Sequence, residues 1–142
     1  MRYSEQLIAP MRADLTRFGV QETKTPQEVD EALKSNGTVL VVTNSVCGCA
    51  AGKARPAVGL ALKHATHPDT SVAVFAGADL EAVAHVRELL SDYQPSSPSV
   101  ALFRDGKPVF VLPRHQIESN EAPQIAKMLT DAFDRYCVTA KQ

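Results

Sequence analysis

Thr38-Val39-Leu40-Val41-Val42-Thr43 constrains this chain more than any other stretch, because it is an unbroken run of β-branched and aliphatic residues. A strand with one wet face alternates apolar and polar. A continuous run belongs to a strand covered on both faces, in the middle of a sheet flanked by helices. Directly after it come Asn44-Ser45-Val46-Cys47-Gly48-Cys49, and then an alanine-rich stretch, to about Ala65, whose composition favours helix. Two thiols therefore stand where a buried strand gives way to a helix.

The rest of the chain supplies what such a strand needs around it. Over Tyr3 to Phe18, the residues Leu7, Ile8, Met11, Leu15 and Phe18 recur at helical spacing, with Pro10 expected to kink or interrupt the helix and Gly19 to end it. Val20 to Thr23 is short and extended. Thr25-Pro26-Gln27-Glu28 then reads as a helix start, with threonine as N-cap, proline at the first helical position and glutamate three after the cap. This helix turns Val29, Ala32 and Leu33 inward and stops at Asn36-Gly37. Ser71 to Ala76 reads as a second buried strand, and Asp79 opens a helix through Val83, Val86, Leu89 and Leu90. After the loop Tyr93-Gln94-Pro95-Ser96-Ser97-Pro98, strands Val100–Phe103 and Val109–Leu112 are joined by the hairpin turn Arg104-Asp105-Gly106-Lys107. Asn120 precedes the last helix, on which Ile125, Met128, Leu129, Ala132 and Phe133 form one apolar stripe.

The order is an N-terminal helix, βαβαβα, a β-hairpin and a final helix. It implies an α/β thioredoxin-like fold, a mixed central sheet flanked by helices with an extra N-terminal helix, the strand order coming from analogy with that fold. With 142 residues, 44% hydrophobic and 22% charged, the chain suits one domain over 1–142 and is not a disordered tail. A net charge of -1 lacks the cationic excess expected of a nucleic-acid binder. No apolar run reaches the roughly 18 residues that span a bilayer. The first residues lack the apolar centre of a secretory signal, so a soluble, cytoplasmic protein is expected. Three cysteines, an odd and small number, do not make the disulfide framework of a small secreted domain.

A thiol at a helix start meets unsatisfied backbone N–H groups and the positive end of the helix dipole, and both favour thiolate. Cys47 is placed for this, and Lys53 and Arg55 are candidates to add positive potential. Cys49, two residues on, is near enough to attack a mixed disulfide on Cys47. A Cys-X-Cys ring is one residue tighter than Cys-X-X-Cys, and a disulfide forced from its preferred torsion is easier to reduce. Gly48 eases the backbone between the two sulfurs. Such a site suits accepting a thiol group from a client, or reshuffling, better than strong net reduction.

Ser97-Pro98, just before a strand, is a second constellation. In thioredoxin-like proteins a cis-proline there faces the cysteines, and the backbone of the residue before it pairs with an extended substrate. Taken alone Pro98 reads as trans, since only about 5–6% of X–Pro bonds are cis in folded proteins.

The run Asn44-Ser45-Val46-Cys47-Gly48-Cys49-Ala50-Ala51-Gly52, with Arg55-Pro56 after it, resembles the bacilliredoxin family, thioredoxin-like proteins with a Cys-Gly-Cys site. Ala9-Pro10-Met11-Arg12, Val74-Phe75-Ala76-Gly77, Pro95-Ser96-Ser97-Pro98-Ser99 and Pro113-Arg114-His115 extend the likeness over nearly the whole chain. The resemblance implies removal of bacillithiol from proteins that carry it as a mixed disulfide. Cys47 would attack, Cys49 would resolve the adduct or be bypassed by a second bacillithiol, and Gly48, Ser97 and Pro98 would line the client groove. It also implies weak disulfide isomerase or reductase activity, no required cofactor, and bacillithiol as the thiol co-substrate.

Free cysteines are often simply buried, and Cys137, four residues after Phe133, reads that way. The histidines His64, His67, His85 and His115 lack zinc-site spacing with the cysteines; only His115, beside Arg114, invites a test. Asp79 and Glu81 read as helix-start charges. A rival reading takes Cys47 and Cys49 from each half of a homodimer as the four thiolates of an iron–sulfur cluster, with Cys137 as a further candidate ligand. A third, a binding module that only retains the fold, expects no thiol reactivity at neutral pH.

Overall fold

The computed structural model describes residues 2–34 and 37–137. Along the chain run α1 (Glu5–Thr16), β1 (Gln21–Glu22), α2 (Pro26–Lys34), β2 (Thr38–Asn44), a π-helical turn (Ala50–Ala54) continuing into α3 (Arg55–Ala61), and β3 (Thr70–Phe75). They are followed by α4 (Leu80–Leu89), β4 (Ser99–Arg104), β5 (Lys107–Leu112), α5 (Arg114–Glu118) and α6 (Ala122–Tyr136). The five strands form a sheet in the order β1-β3-β2-β4-β5. β2 pairs parallel with β3 and antiparallel with β4, and every residue of β2 is buried, as its uninterrupted composition requires. Among the described residues, no helix is long and apolar enough to cross a membrane.

Alternate β2 side chains serve two cores. Leu40 and Val42 pack with Ala57 and Val58 of α3 and with Ile125, Leu129 and Phe133 of α6. Val39 and Val41 pack on the other face with Val29 and Leu33 of α2 and with Val83 and Val86 of α4. The apolar stripe of α6 is buried except for Met128, which is partly covered. The hairpin between β4 and β5 turns on Asp105 and Gly106, both at positive φ, 52° and 82°, as a two-residue turn matching strand twist demands.

Four details depart from the sequence expectation. Pro10 does not interrupt α1: it and Gln6, whose carbonyl loses its N–H partner, both lie on the exposed face, where water can replace the bond. The cap of α6 is Glu121, whose side chain and that of Gln124 form a reciprocal capping box, while Asn120 donates to the Gln116 carbonyl at 2.7 Å and finishes α5. Asp79 precedes α4 but its carboxylate does not cap that helix. It accepts two N–H bonds from Arg12, at 2.8 and 3.0 Å, and the Phe75 backbone N–H at 3.0 Å. The helix α5 itself is absent from the periodicity, being too short to show one. For α2, Thr25 accepts the Glu28 N–H at 3.1 Å as expected; Asn36 of the expected stop lies outside the described residues, and Gly37 has φ +136°.

Arg12 ties α1 to the sheet. All five of its N–H donors are used, on Glu5, Glu22 and Asp79, and its guanidinium lies 5.3 Å from the Phe75 ring centroid. The anchored helix then holds the end of β2, because Asn44 donates its side-chain amide to the Met11 carbonyl at 3.2 Å.

Candidate active site

The segment that carries the cysteines is built outward from the end of β2. Asn44 Oδ1 accepts the Ser45 N–H at 2.8 Å, and Ser45 Oγ accepts the Cys47 N–H at 3.2 Å. The Cys47 carbonyl then accepts the N–H groups of Ala50 and Ala51, at 3.0 and 3.2 Å, which makes Cys47 the residue from which the helix starts. Two helical residues later the backbone widens into the π turn, where the Arg55 N–H reaches back to the Ala50 carbonyl. Pro56 explains the widening: it has no N–H to give and its ring would crowd the carbonyl four residues back.

Both thiols are free and partly exposed. Burial pushes the Cys47 thiol up, but hydrogen bonds outweigh it. The Ala50 backbone N–H, the Ser45 side chain, and the backbone and side chain of Cys49 together hold it below the ordinary thiol value. Cys49 moves the opposite way. Burial, the adjacent Cys47 sulfur and the Glu118 carboxylate all push its thiol up. The site thus separates two neighbouring thiols, Cys47 ionising more readily than an ordinary thiol and Cys49 less readily.

Glu118 and Arg114, both on α5, complete the surroundings. The Cys49 thiol donates to Glu118 Oε2 at 3.6 Å, and the same oxygen accepts Arg114 Nε at 2.8 Å. Arg114 also donates from Nη1 to the Ser97 carbonyl at 3.1 Å, and its backbone N–H goes to Ser96 Oγ at 3.1 Å. Lys53 Nζ donates to the Glu118 carbonyl at 2.7 Å, fastening α5 to the π turn. Ser97-Pro98 is cis, and Pro98 is buried. The β2–β4 register pairs Thr43 with Ser99, which sets Pro98 beside the end of β2 from which the cysteine segment leaves. An open cavity of about 560 Å³ lies alongside, lined by Tyr93, Pro95, Ser96, Arg114, His115 and Glu118 among others.

Cys47, Cys49 and Ser97-Pro98 are therefore drawn to one end of the sheet, linked through Arg114 and Glu118. Gly48 is exposed, with open space where a Cβ would stand, so crowding does not demand glycine there while the thiols are free. Of the two cations expected on the helix, Lys53 is committed to α5. Arg55, 3% exposed, lies 3.6 Å from Asp14 and within electrostatic reach of Cys47. His64 and His85 pair with Asp134 and Asp30 away from the cysteines, and His115 only lines the cavity. Glu118 escaped the sequence reading altogether, and Arg114 entered it only in the Pro113-Arg114-His115 likeness and as the neighbour of His115. Glu118 is 69 residues from its thiol partner in sequence, and no periodicity marks such a pair.

Cys137 is not brought to the pair. It caps the end of α6 beside Thr38, the first residue of β2, and burial pushes its thiol up. Cys47 lies past the other end of that strand, about 20 Å away along it. One chain thus assembles two thiols where a cluster takes four ligands, and among the described residues no three His, Cys, Asp or Glu side chains gather as a metal site would.

Comparison with known proteins adds to this geometry. A family model described as disulphide isomerase matches residues 3–137. A bacilliredoxin of Salinibacter ruber is 54% identical over 141 residues, 96% of this chain and 82% of that protein. One of Koribacter versatilis is 49% identical, over 95% of this chain and 94% of its own length. One of Halalkalibacterium halodurans is 46% identical, over 95% and 93%. Among solved structures, a thioredoxin of Halobacterium salinarum, bearing an N21Q mutation, superposes with a TM-score of 0.56 at 17% identity, over 84% of this chain and 92% of that one. The thioredoxin of Malassezia sympodialis gives 0.55 at 13%, over 84% and 91%. At these identities the structures speak for the fold.

Proposed function

The chain belongs to the bacilliredoxin family of thiol–disulfide oxidoreductases, and from that premise we propose that it removes bacillithiol from proteins that carry it as a mixed disulfide, with Cys47 as nucleophile. The observation that carries this reading is the Cys47 sulfur at a helix start, where backbone and side-chain hydrogen bonds favour its thiolate. The Cys47 thiolate attacks the bacillithiol sulfur of the mixed disulfide. A Cys47–bacillithiol bond forms, the client–bacillithiol bond breaks, and the client leaves as a thiolate that takes a proton from water. Cys49, as thiolate, can then attack Cys47 Sγ, closing the Cys47–Cys49 disulfide and expelling bacillithiol. A second bacillithiol can instead attack the adduct and leave as bacillithiol disulfide. Gly48 lets the backbone flex when the small ring closes, and the Ser97-Pro98 peptide offers the wall against which a client strand lies. Bacillithiol is thus a co-substrate, and the thiol chemistry needs no further cofactor.

Cys47→Ser abolishes transfer in this scheme, because a hydroxyl is not an adequate nucleophile at neutral pH. Cys49→Ser leaves the adduct on Cys47. Mass spectrometry of both variants after incubation with a bacillithiolated client, beside a glutathionylated control, reads the outcome. An adduct on the Cys47→Ser protein, or none on the Cys49→Ser protein, would reverse the roles; equal transfer from both clients would leave thiol exchange without the bacillithiol preference. A reduction potential as low as about −270 mV would contradict a weakly held ring.

A further inference from the structure

Glu118 is an acidic side chain in contact with a thiol that must become a thiolate to react. Its Oε2 takes the Cys49 thiol at 3.6 Å while Arg114 Nε, at 2.8 Å on the same oxygen, fixes its direction, and Lys53 holds its carbonyl at 2.7 Å. We propose that Glu118 orders the two thiols, holding Cys49 in its protonated form so that the Cys47–Cys49 ring closes slowly and the mixed disulfide on Cys47 stays open to a second small thiol. This rests on the proposed roles of Cys47 and Cys49 and adds the residue that decides between the two ways of clearing the adduct.

The charges that face Cys49 are the Cys47 sulfur before it, Glu118 and Arg114 from α5, and Lys53 from the π turn. The Cys47 thiolate and the Glu118 carboxylate are the anions, and both favour thiol over thiolate at Cys49. Once Cys47 carries an adduct its own charge is gone, and Glu118 is the protein's own anion that still acts on the resolving sulfur, with whatever charge the adduct carries being the same in wild type and variant. Arg114 offsets part of its charge but shares its guanidinium with the Ser97 carbonyl. A carboxylate of this kind is also a poor base for the thiol, since Arg114 and Cys49 hold it below the usual carboxylate range. Its effect on ring closure is therefore to restrain.

In the closure step Cys49 loses its proton to solvent. Its thiolate forms the bond to Cys47 Sγ, and the bond from Cys47 to the small thiol breaks with the electron pair leaving on the released sulfur. The cysteine pair is oxidised and the departing thiol reduced. Removing the Glu118 charge multiplies the thiolate fraction of Cys49 by about sevenfold, for a unit charge at this contact distance in a water-like dielectric. The less basic thiolate is also the weaker nucleophile, by about 2.4-fold at a Brønsted coefficient of roughly 0.45. The two effects act in different pH ranges, so the rate curves of the two proteins cross.

The test uses the thionitrobenzoate adduct of Cys47, made with Ellman's reagent, so that it does not depend on bacillithiol being the natural thiol. Closure releases coloured thionitrobenzoate and is followed by stopped flow against pH in wild type and Glu118→Gln. The expected result is closure about threefold faster in the variant at neutral pH, and about twofold slower at pH values where Cys49 is fully ionised in both proteins. Alkylation of Cys49 in the Cys47→Ser background should show its midpoint moved to lower pH by the same substitution. Slower closure at every pH would make Glu118 a general base, and superimposable curves would make it a bystander; either result overturns the proposal. Failure to act on a bacillithiolated client, with the curves still crossing, would instead overturn only the substrate.

Discussion

Replacing Arg12 with methionine should destabilise the protein far more than an exposed position on an N-terminal helix would. The reason is where its partners lie. The Arg12 and Asp79 side chains are 7% and 5% exposed, and they meet through two N–H···O bonds of 2.8 and 3.0 Å. Without the guanidinium, Asp79 is left as a buried carboxylate with no counter-charge, its one remaining bond being that from the Phe75 N–H. Breaking a buried pair from one side costs about 3–5 kcal/mol. The Glu5 bond adds little, because Glu5 is 60% exposed and such pairs are worth roughly 0–1 kcal/mol. At about 2.1 cal/mol/K per residue, a 142-residue chain converts the total to a melting temperature lower by roughly 10–17 °C. Urea unfolding followed by circular dichroism at neutral pH gives the free energy directly, with the slope unchanged if only stability has moved. The double variant Arg12→Met with Asp79→Leu should recover part of the loss, since Asp79 is no longer a stranded charge while the mostly buried Glu22 still lacks its partner. A single-variant cost below about 1 kcal/mol, or no recovery in the double, would refute the argument that Asp79 needs its partner.

Two further predictions concern the site and the packing behind it. Arg55→Met removes a buried cation within electrostatic reach of the Cys47 sulfur, so thiolate becomes harder to form. The pH midpoint of Cys47 alkylation should rise, and alkylation at neutral pH should slow. Gly59→Ala should cost about 1 kcal/mol in the same unfolding assay, because a Cβ on Gly59 would stand 2.4 Å from the half-buried ring of Phe18, just after α1, and displace it from its packing on α3.

Much of this protein is legible in local pattern. The unbroken apolar run from Thr38 to Thr43 requires cover on both faces, and β2 has it from α3 and α6 on one side and α2 and α4 on the other. Asp105-Gly106 admits the two positive φ values of the hairpin, and the stripe Ile125, Leu129, Phe133 points α6 at the core. The position of Cys47 at a strand-to-helix junction is local as well, and the backbone N–H groups that favour its thiolate follow from that position alone. Such features need only neighbours along the chain, whose spacing is set by the helix and strand repeats.

What the tertiary structure decided lies between residues far apart in sequence. Arg12 meets Asp79 across 67 residues, and Cys49 meets Glu118 across 69. Neither contact has a period, because it depends on how layers stack and where a loop ends. The same holds for α5, a five-residue helix whose place is determined by the elements around it and by Lys53. Pro98, taken alone, reads as trans; in the fold it is cis, wedged where the register of β4 against β2 brings it beside the end of that strand. Sequence alone thus located the sulfur that ionises more readily than an ordinary thiol, through the local backbone that surrounds it. The charges that distinguish it from the second sulfur arrive through space, and only the packed chain brings them there.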